Sequence, residues 1–235
     1  GANDPVHHSI TKHFYDAGWH GINIEPVPHL HAALVQARPR DINLLSGVLQ
    51  EAGTLDFYEV QDIHGWSTFS AALARQYEAQ GHPIVKRSVP VRTLRDICEQ
   101  YVTETIQFLK IDVEGMEKAV LEGADFVRFR PRIILLEIAG ESFREWEGIL
   151  NSADYRFVLF DGVNRLYVRA EDLKVLQPRL LAPASCVDEY MPHRYFVQRE
   201  ALAAAVAEKE RLAKLMEGMQ AEIHQGGLPV AMISY

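Results

Sequence analysis

Apolar and charged residues alternate through Phe108-Leu109-Lys110-Ile111-Asp112-Val113-Glu114, and Gly115 ends the run. Successive side chains of a strand point to opposite faces. Leu109, Ile111 and Val113 therefore share one face, and Lys110, Asp112 and Glu114 the other. Met116 to Phe126 follows with helical spacing, Val120, Leu121 and Ala124 on one side. Ile133 to Ile138, bounded by Pro131 and Gly140, reads as the next strand. Strand, helix, strand is the pattern of a parallel sheet with helical crossovers.

The same alternation fills the rest of the first 170 positions. Pro5 suits the first turn of a helix. Val6 to Asp16 carries Ile10, Phe14 and Ala17 on one face, with Gly18 as its cap. Gly21 to Glu25 is a strand stopped by Pro26, His29 to Ala37 a helix, and Ile42 to Val48 a strand. Leu55 to Val60 is extended and Ala71 to Gln80 helical. Val85 to Val91 is a strand that Pro90 assigns to a sheet edge. Thr93 caps a helix from Leu94 to Tyr101, and Phe143 to Leu150 is amphipathic. Tyr155 to Phe160 and Arg165 to Val168 flank Asp161-Gly162-Val163-Asn164 as a β-hairpin. The expected class is α/β. A crossover helix needs a strand feeding it, so a first strand is expected to be missing ahead of Gly1.

Glu171 to His193 loses this periodicity and reads as a connector. Beyond it, Leu202, Lys209, Met216 and Ile223 recur every seven residues, with Ala205, Leu212 and Met219 between them. That seam fits a coiled coil or one amphipathic helix on the body of the protein. The expected organisation is a domain over 1–170, a connector over 171–197, a helix over 198–225 and a linker or further segment over 226–235. A second copy or a neighbouring domain could use residues 200–224. Both ends read as cut from a larger chain.

Composition narrows the class. The 235 residues are 48% hydrophobic and 24% charged, the balance of an ordinary globular protein. Net charge is −8, which argues against a nucleic-acid binder, because neutralising phosphates needs a basic face. The two cysteines, Cys98 and Cys186, imply no disulfide framework and favour a reducing, cytoplasmic setting. No apolar run reaches the roughly 18 residues of a spanning helix.

The candidate chemistry sits at strand ends. In open α/β sheets ligands bind there, and charges there are costly unless paired or used. Gly1-Ala2-Asn3 is a small-residue loop that lets backbone approach a ligand. Glu25 ends the next strand, where an acid can accept from both hydroxyls of a ribose. Asp112 and Glu114 are the leading candidates for a general base, and His64 is an alternative. Burial would raise a carboxyl's pKa, and Lys110 would oppose that shift. The bland reading is that Lys110 and Asp112 neutralise each other or cap the next helix. Trp66 could stack on a sugar face or simply pack. Asp112, Glu114 and Glu137 could together hold a divalent cation, but three carboxylates without fixed spacing assign no metal. The histidines have no zinc spacing. No Gly-x-Gly-x-x-Gly follows a strand, which disfavours a nicotinamide dehydrogenase.

Gly1-Ala2-Asn3-Asp4, Gly21-Ile22-Asn23-Ile24-Glu25-Pro26, Lys110-Ile111-Asp112-Val113-Glu114-Gly115-Met116-Glu117, Val120-Leu121-Glu122-Gly123-Ala124 and Ile134-Leu135-Leu136-Glu137-Ile138 together resemble the FkbM-type methyltransferases. These are a branch of the class I enzymes that use S-adenosyl-L-methionine. The resemblance runs from residue 1 to about 169. It implies a Rossmann-like, mostly parallel sheet with an antiparallel last strand, and O-methylation of a hydroxyl, often on a sugar or other small-molecule acceptor. It implies further that Gly1, Ala2 and Asn3 line the methionine part of the cofactor and that Glu25 holds its ribose. Pro26, Ser46 and Gly47 border the rest of the cofactor, with Asp112 beside it. Ser67 and Thr68 fall near cofactor or acceptor; Trp66, Lys110 and Glu137 are the other acceptor-side candidates. The family has a strand ending in an acid before the position of Gly1. The competing expectation is an inactive methyltransferase-like module that oligomerises through its C-terminal helix.

Overall fold

The computed structural model describes residues 1–7, 9–63, 65–138, 142–181 and 193–226, with side chains of the last stretch described at 198–199 and 201–219. His8, His64, Gly140, Cys186, most of the connector and residues 227–235 lie outside the described residues. The chain divides into two units, Gly1–Ala182 and Pro183–Tyr235.

The first unit alternates helices and strands, as expected, but its strands form three sheets instead of one. In the first, β1 (Ile22–Ile24) pairs in parallel with β2 (Ile42–Leu44), joined by α2 (Pro28–Ala37). In the second, β5 (Ile84–Arg92) lies between β3 (Gly47–Val48), parallel to it, and β4 (Gly53–Val60), antiparallel to it. In the third the order is β6 (Phe108–Ile111), β7 (Ile133–Glu137), β9 (Asn164–Arg169), β8 (Tyr155–Phe160). There β6 and β7 are parallel, while β9 runs antiparallel to both its neighbours. The reversed last strand is present; the single, mostly parallel Rossmann-like sheet is not. Among the described residues β1 pairs with β2 and β6 with β7, and Gly1 and Ala2 bond the carboxyl ends of β6 and β1. The Gly1 amino group donates to the Asp112 carbonyl, and the Ala2 N–H to the Ile24 carbonyl at 3.0 Å.

Several elements differ from the sequence reading, and the run Ile42 to Val48, read as one strand, is divided between β2 and β3 in different sheets. The first helix, α1 (Ile10–Asp16), starts four residues late. Asp4 Oδ1 accepts from the N–H groups of Val6 (2.8 Å) and His7 (2.7 Å), which closes a side-chain turn where the helix would begin. The buried Arg38 guanidinium then holds the Pro5 carbonyl at 2.6 Å and bonds the hydroxyls of Ser9 and Thr11. β5 is not an edge strand, because β3 covers its Val91–Arg92 end. Pro90 sits just before that pairing starts, so its missing N–H breaks no bond to β3. The helix after β6 is short, α5 (Glu117–Glu122). It ends at Gly123, a position that packs against Leu49 too closely to hold a Cβ.

The next two helices follow the reading. α3 (Ala71–Ala79) is capped by Ser70, and α4 (Leu94–Tyr101) by Thr93, whose hydroxyl accepts from the Asp96 N–H at 3.0 Å. A short 3₁₀ turn and α6 (Glu147–Ser152) occupy the amphipathic stretch. The stretch read as a connector from Glu171 instead holds a helix, α7 (Leu173–Leu180). The main core gathers Ile111, Val120, Leu121, Ile134, Leu136, Leu150, Tyr155 and Tyr167, with Leu109 and Val113 packed against it. That is the face the alternation assigns to Leu109, Ile111 and Val113. The opposite face of the same run is thereby turned away from the core.

The second unit contains α8 (His193–Gly226), a 34-residue helix. Leu202, Ala205, Lys209, Leu212, Met216 and Met219 of the heptad seam are all exposed. Among the described residues no helix is long and apolar enough to cross a membrane.

Candidate functional site

The three stretches singled out by the sequence border one cavity of about 740 Å³. Gly1, Ala2, Asn3, Glu25, Pro26, Ser46, Gly47, Ser67, Lys110, Asp112 and Glu114 all line it. Trp66, Thr68 and Glu137 do not. Below the strand ends the cavity continues between the facing edges of β1 and β6. There Phe14 packs on Phe108, ring centroids 4.8 Å apart, and on Trp19 at 5.1 Å.

Glu25 ends β1 and is 3% exposed. Its Oε2 accepts from the Asn3 N–H at 2.7 Å and its Oε1 from the Val27 N–H at 3.0 Å. A carboxylate oxygen has two acceptor positions, so both oxygens can still receive a ligand hydroxyl. The Gly1 loop is wrapped closely around this carboxyl: a Cβ on Gly1 would lie 3.1 Å from Glu25 Oε2. Asn3 has a left-handed backbone, φ 55°, and its Oδ1 is buried without a hydrogen-bond partner among the described residues. An unsatisfied buried acceptor costs roughly 1–3 kcal/mol, and a polar ligand in the cavity would relieve it. Ser46 is spent structurally, donating to the Gly47 carbonyl at 2.8 Å.

The acidic side is differentiated. Lys110 Nζ lies 2.6 Å from Asp112 Oδ2. Burial pushes the Asp112 carboxyl up, but the Gly1 amino group and the Lys110 ammonium outweigh it and hold it below its ordinary value. Glu137 shares a hydrogen bond with Asp112, and burial together with the Asp112 charge pushes Glu137 up. Glu114 is pushed up to about 7, by burial first and then by the charges of Asp112 and Glu137. The structure thus contains both the pairing of the bland reading and one carboxyl poised near neutrality. Glu114 also has a left-handed backbone, φ 49°; among the described residues only Asn3 and Asp154 share this without being glycine. Such backbone costs energy and persists where surroundings over-determine it.

Those surroundings are identifiable. The Thr68 hydroxyl donates to the Glu114 carbonyl at 2.8 Å and accepts from the Ser70 N–H at 2.9 Å. Gly115, φ 88°, completes the turn, and its N–H donates to Glu117 Oε1 at 3.1 Å. The buried Glu117 was quoted in the motif but given no role by sequence reasoning. Its neighbour's need for a side-chain acceptor two residues on was the available signal. Thr68, 1% exposed, is a strut for the turn and does not face the cavity. Ser67 Oγ accepts from the Val60 N–H at 3.1 Å. Gly65 lies against the loop of Asn3: a Cβ there would stand 3.5 Å from Asn3 Nδ2. His64 lies outside the described residues.

No group of three or more metal-ligating side chains is placed to hold an ion among the described residues. Cys98 also borders the cavity, and burial pushes its thiol up to about 11, which leaves it protonated at neutral pH.

Comparison with known proteins finds a single class of match. A search of curated proteins and a search of solved structures each return nothing similar. The family model described as "Methyltransferase FkbM domain" matches residues 1–157, which include every cavity-lining residue named above. The chain belongs to the FkbM methyltransferase family.

Proposed function

We propose that this chain transfers a methyl group from S-adenosyl-L-methionine to a hydroxyl of a sugar or sugar-like acceptor. The observation that carries the reading is the convergence of Gly1–Asn3, Glu25 and Asp112–Glu114 on one cavity, with the Asn3 amide oxygen buried there and unsatisfied. These residues fit such a cofactor: small residues for close approach, a carboxyl with spare acceptor positions for a diol, and carboxylates for a cation. Gly1, Ala2 and Asn3 would hold its methionine end, Glu25 its ribose, and Pro26, Ser46 and Gly47 its base. When bound, the cofactor supplies an electrophilic methyl on a positively charged sulfur.

The chain's own part is to position the acceptor and take its proton. A hydroxyl attacks poorly until its proton is leaving, and a positioned base contributes typically about 10²–10⁴-fold. Glu114 suits this role better than Asp112. Asp112, tied to Lys110, is a weak base with its charge already compensated. Glu114, poised near 7, can both hold and release a proton near neutral pH. Proximity of oxygen and methyl supplies the rest. Isothermal titration with S-adenosylhomocysteine tests the reading: saturable one-to-one binding is expected, and its absence would overturn it.

A second reading, a methyltransferase-like module that self-associates, draws on α8 with its exposed heptad seam. Sedimentation of the chain with and without residues 198–235 separates the two. A mass that falls on truncation supports assembly through α8, and an unchanged mass removes it.

A further inference from the structure

Leu73 and Tyr77 lie four residues apart on α3, which puts them on one face of that helix. Leu73 packs on the turn that carries Glu114, since a Cβ on Gly115 would meet Leu73 Cδ1 at 2.8 Å. Tyr77 stands one helical turn farther along the same face. It is half-buried, and the Glu114 charge reaches it: burial first, then that carboxyl, push the phenol above its ordinary value. Trp66 covers Tyr77, with ring centroids 4.9 Å apart and planes 31° apart. His82 meets Trp66 edge-on at 5.4 Å, and its Nδ1 lies 3.0 Å from Asp62 Oδ2.

The pieces come from three separate segments: the stretch after β4, α3, and the turn before β5. Their mutual contacts fix the ring orientations before any ligand arrives, the condition for a preorganised binding surface. Trp66 also follows Gly65 and precedes Ser67, both of which line the cavity. The aromatic pair therefore borders residues that line the cavity, one helical turn from the Leu73 contact with the Glu114–Gly115 turn, and keeps part of its surface open. A core pair would be closed on all sides.

We propose that Tyr77 is a specificity-determining residue for the acceptor: with Trp66 it forms a shelf for the apolar face of a hydroxylated ring, and its phenol O–H bonds a hydroxyl neighbouring the one turned to Glu114. His82, held by Asp62, is a positioning residue for Trp66. The inference rests on the methyltransferase reading and goes beyond it by naming what selects the acceptor.

The test uses the full chain saturated with S-adenosylhomocysteine and saturation-transfer NMR with three probes: methyl glucoside, catechol and glycerol. Transfer to the two ring probes and none to glycerol is expected. Tyr77→Leu and Trp66→Leu should abolish it. Tyr77→Phe should keep transfer to catechol and weaken methyl glucoside about fivefold or more, as loss of one hydrogen bond of about 1 kcal/mol requires. Calorimetry on the same samples should find S-adenosylhomocysteine affinity unchanged in Tyr77→Phe. Wild-type behaviour of the variants toward methyl glucoside, or no transfer to a wild-type chain that binds S-adenosylhomocysteine, overturns the inference alone. A wild-type chain that does not bind S-adenosylhomocysteine overturns the reading beneath it.

Discussion

The Thr68 hydroxyl donates to the Glu114 carbonyl oxygen across 46 residues of sequence, at 2.8 Å. That one bond ties the segment before α3 to the carboxyl end of β6. It also fixes the backbone of Glu114, whose carboxyl is pushed up to about 7. Thr68→Val keeps the shape and removes the hydroxyl, leaving the Glu114 carbonyl and the Ser70 N–H unsatisfied. Chemical denaturation should show a loss of about 1–3 kcal/mol. Methyl transfer should fall further than that loss explains, because Glu114 is no longer held in place.

Glu114 sets a pH dependence with a defined sign. If Glu114 is the base, as proposed, it must be ionised, so kcat/KM should fall as pH drops through about 7. Glu114→Gln should lose that acidic limb and about 10²–10⁴ in rate. Stability should run the other way. The folded value is raised above the ordinary 4.5, so the folded state holds the proton more tightly between 4.5 and about 7. That contribution is full below 4.5 and is lost as pH rises through about 7. Thermal melts across this window should flatten in Glu114→Gln.

Glu25 probes the ribose end of the proposed cofactor site, where the Gly1 loop closes on its carboxyl. Glu25→Ala removes two acceptors used by the Asn3 and Val27 N–H groups as well as those left for a ribose. S-adenosylhomocysteine affinity should fall by tenfold or more, about 1.4 kcal/mol. Glu25→Asp, which keeps the charge but shortens the reach, should fall between wild type and alanine.

Gly123 tests packing away from the chemistry. Alanine there would push a Cβ to 2.4 Å from the Leu49 carbonyl oxygen, a backbone atom that cannot turn aside. Overpacking of this kind costs typically about 1–3 kcal/mol, and a lowered midpoint with an unchanged denaturant slope should record it.

Much of this was readable in the chain. The alternation around Ile111 correctly assigned the core face, because a strand with one buried side has no freedom to choose its phase. The hairpin and the Thr93 cap were equally plain, each set by local chemistry. What failed was long-range. The late start of α1 begins with the local Asp4 turn, but that turn is held by Arg38, which reaches back 33 residues to the Pro5 carbonyl. The division into three sheets depends on which strands find partners, and no local pattern encodes that. At the candidate site, the residue types were visible but not their division of labour. The Lys110–Asp112 pair was one of two readings open at that point, and it is present. Only the folded geometry separates that compensated carboxylate from Glu114.

The left-handed backbone at Glu114 sets stability against chemistry at a single position. Glycine adopts that conformation freely, whereas a side-chain-bearing residue held there costs about 1 kcal/mol or more. A Glu114→Gly chain should therefore melt no lower than its parent while losing its proton acceptor. Random mutagenesis screened for heat resistance alone would drift toward glycine here and return robust, silent proteins.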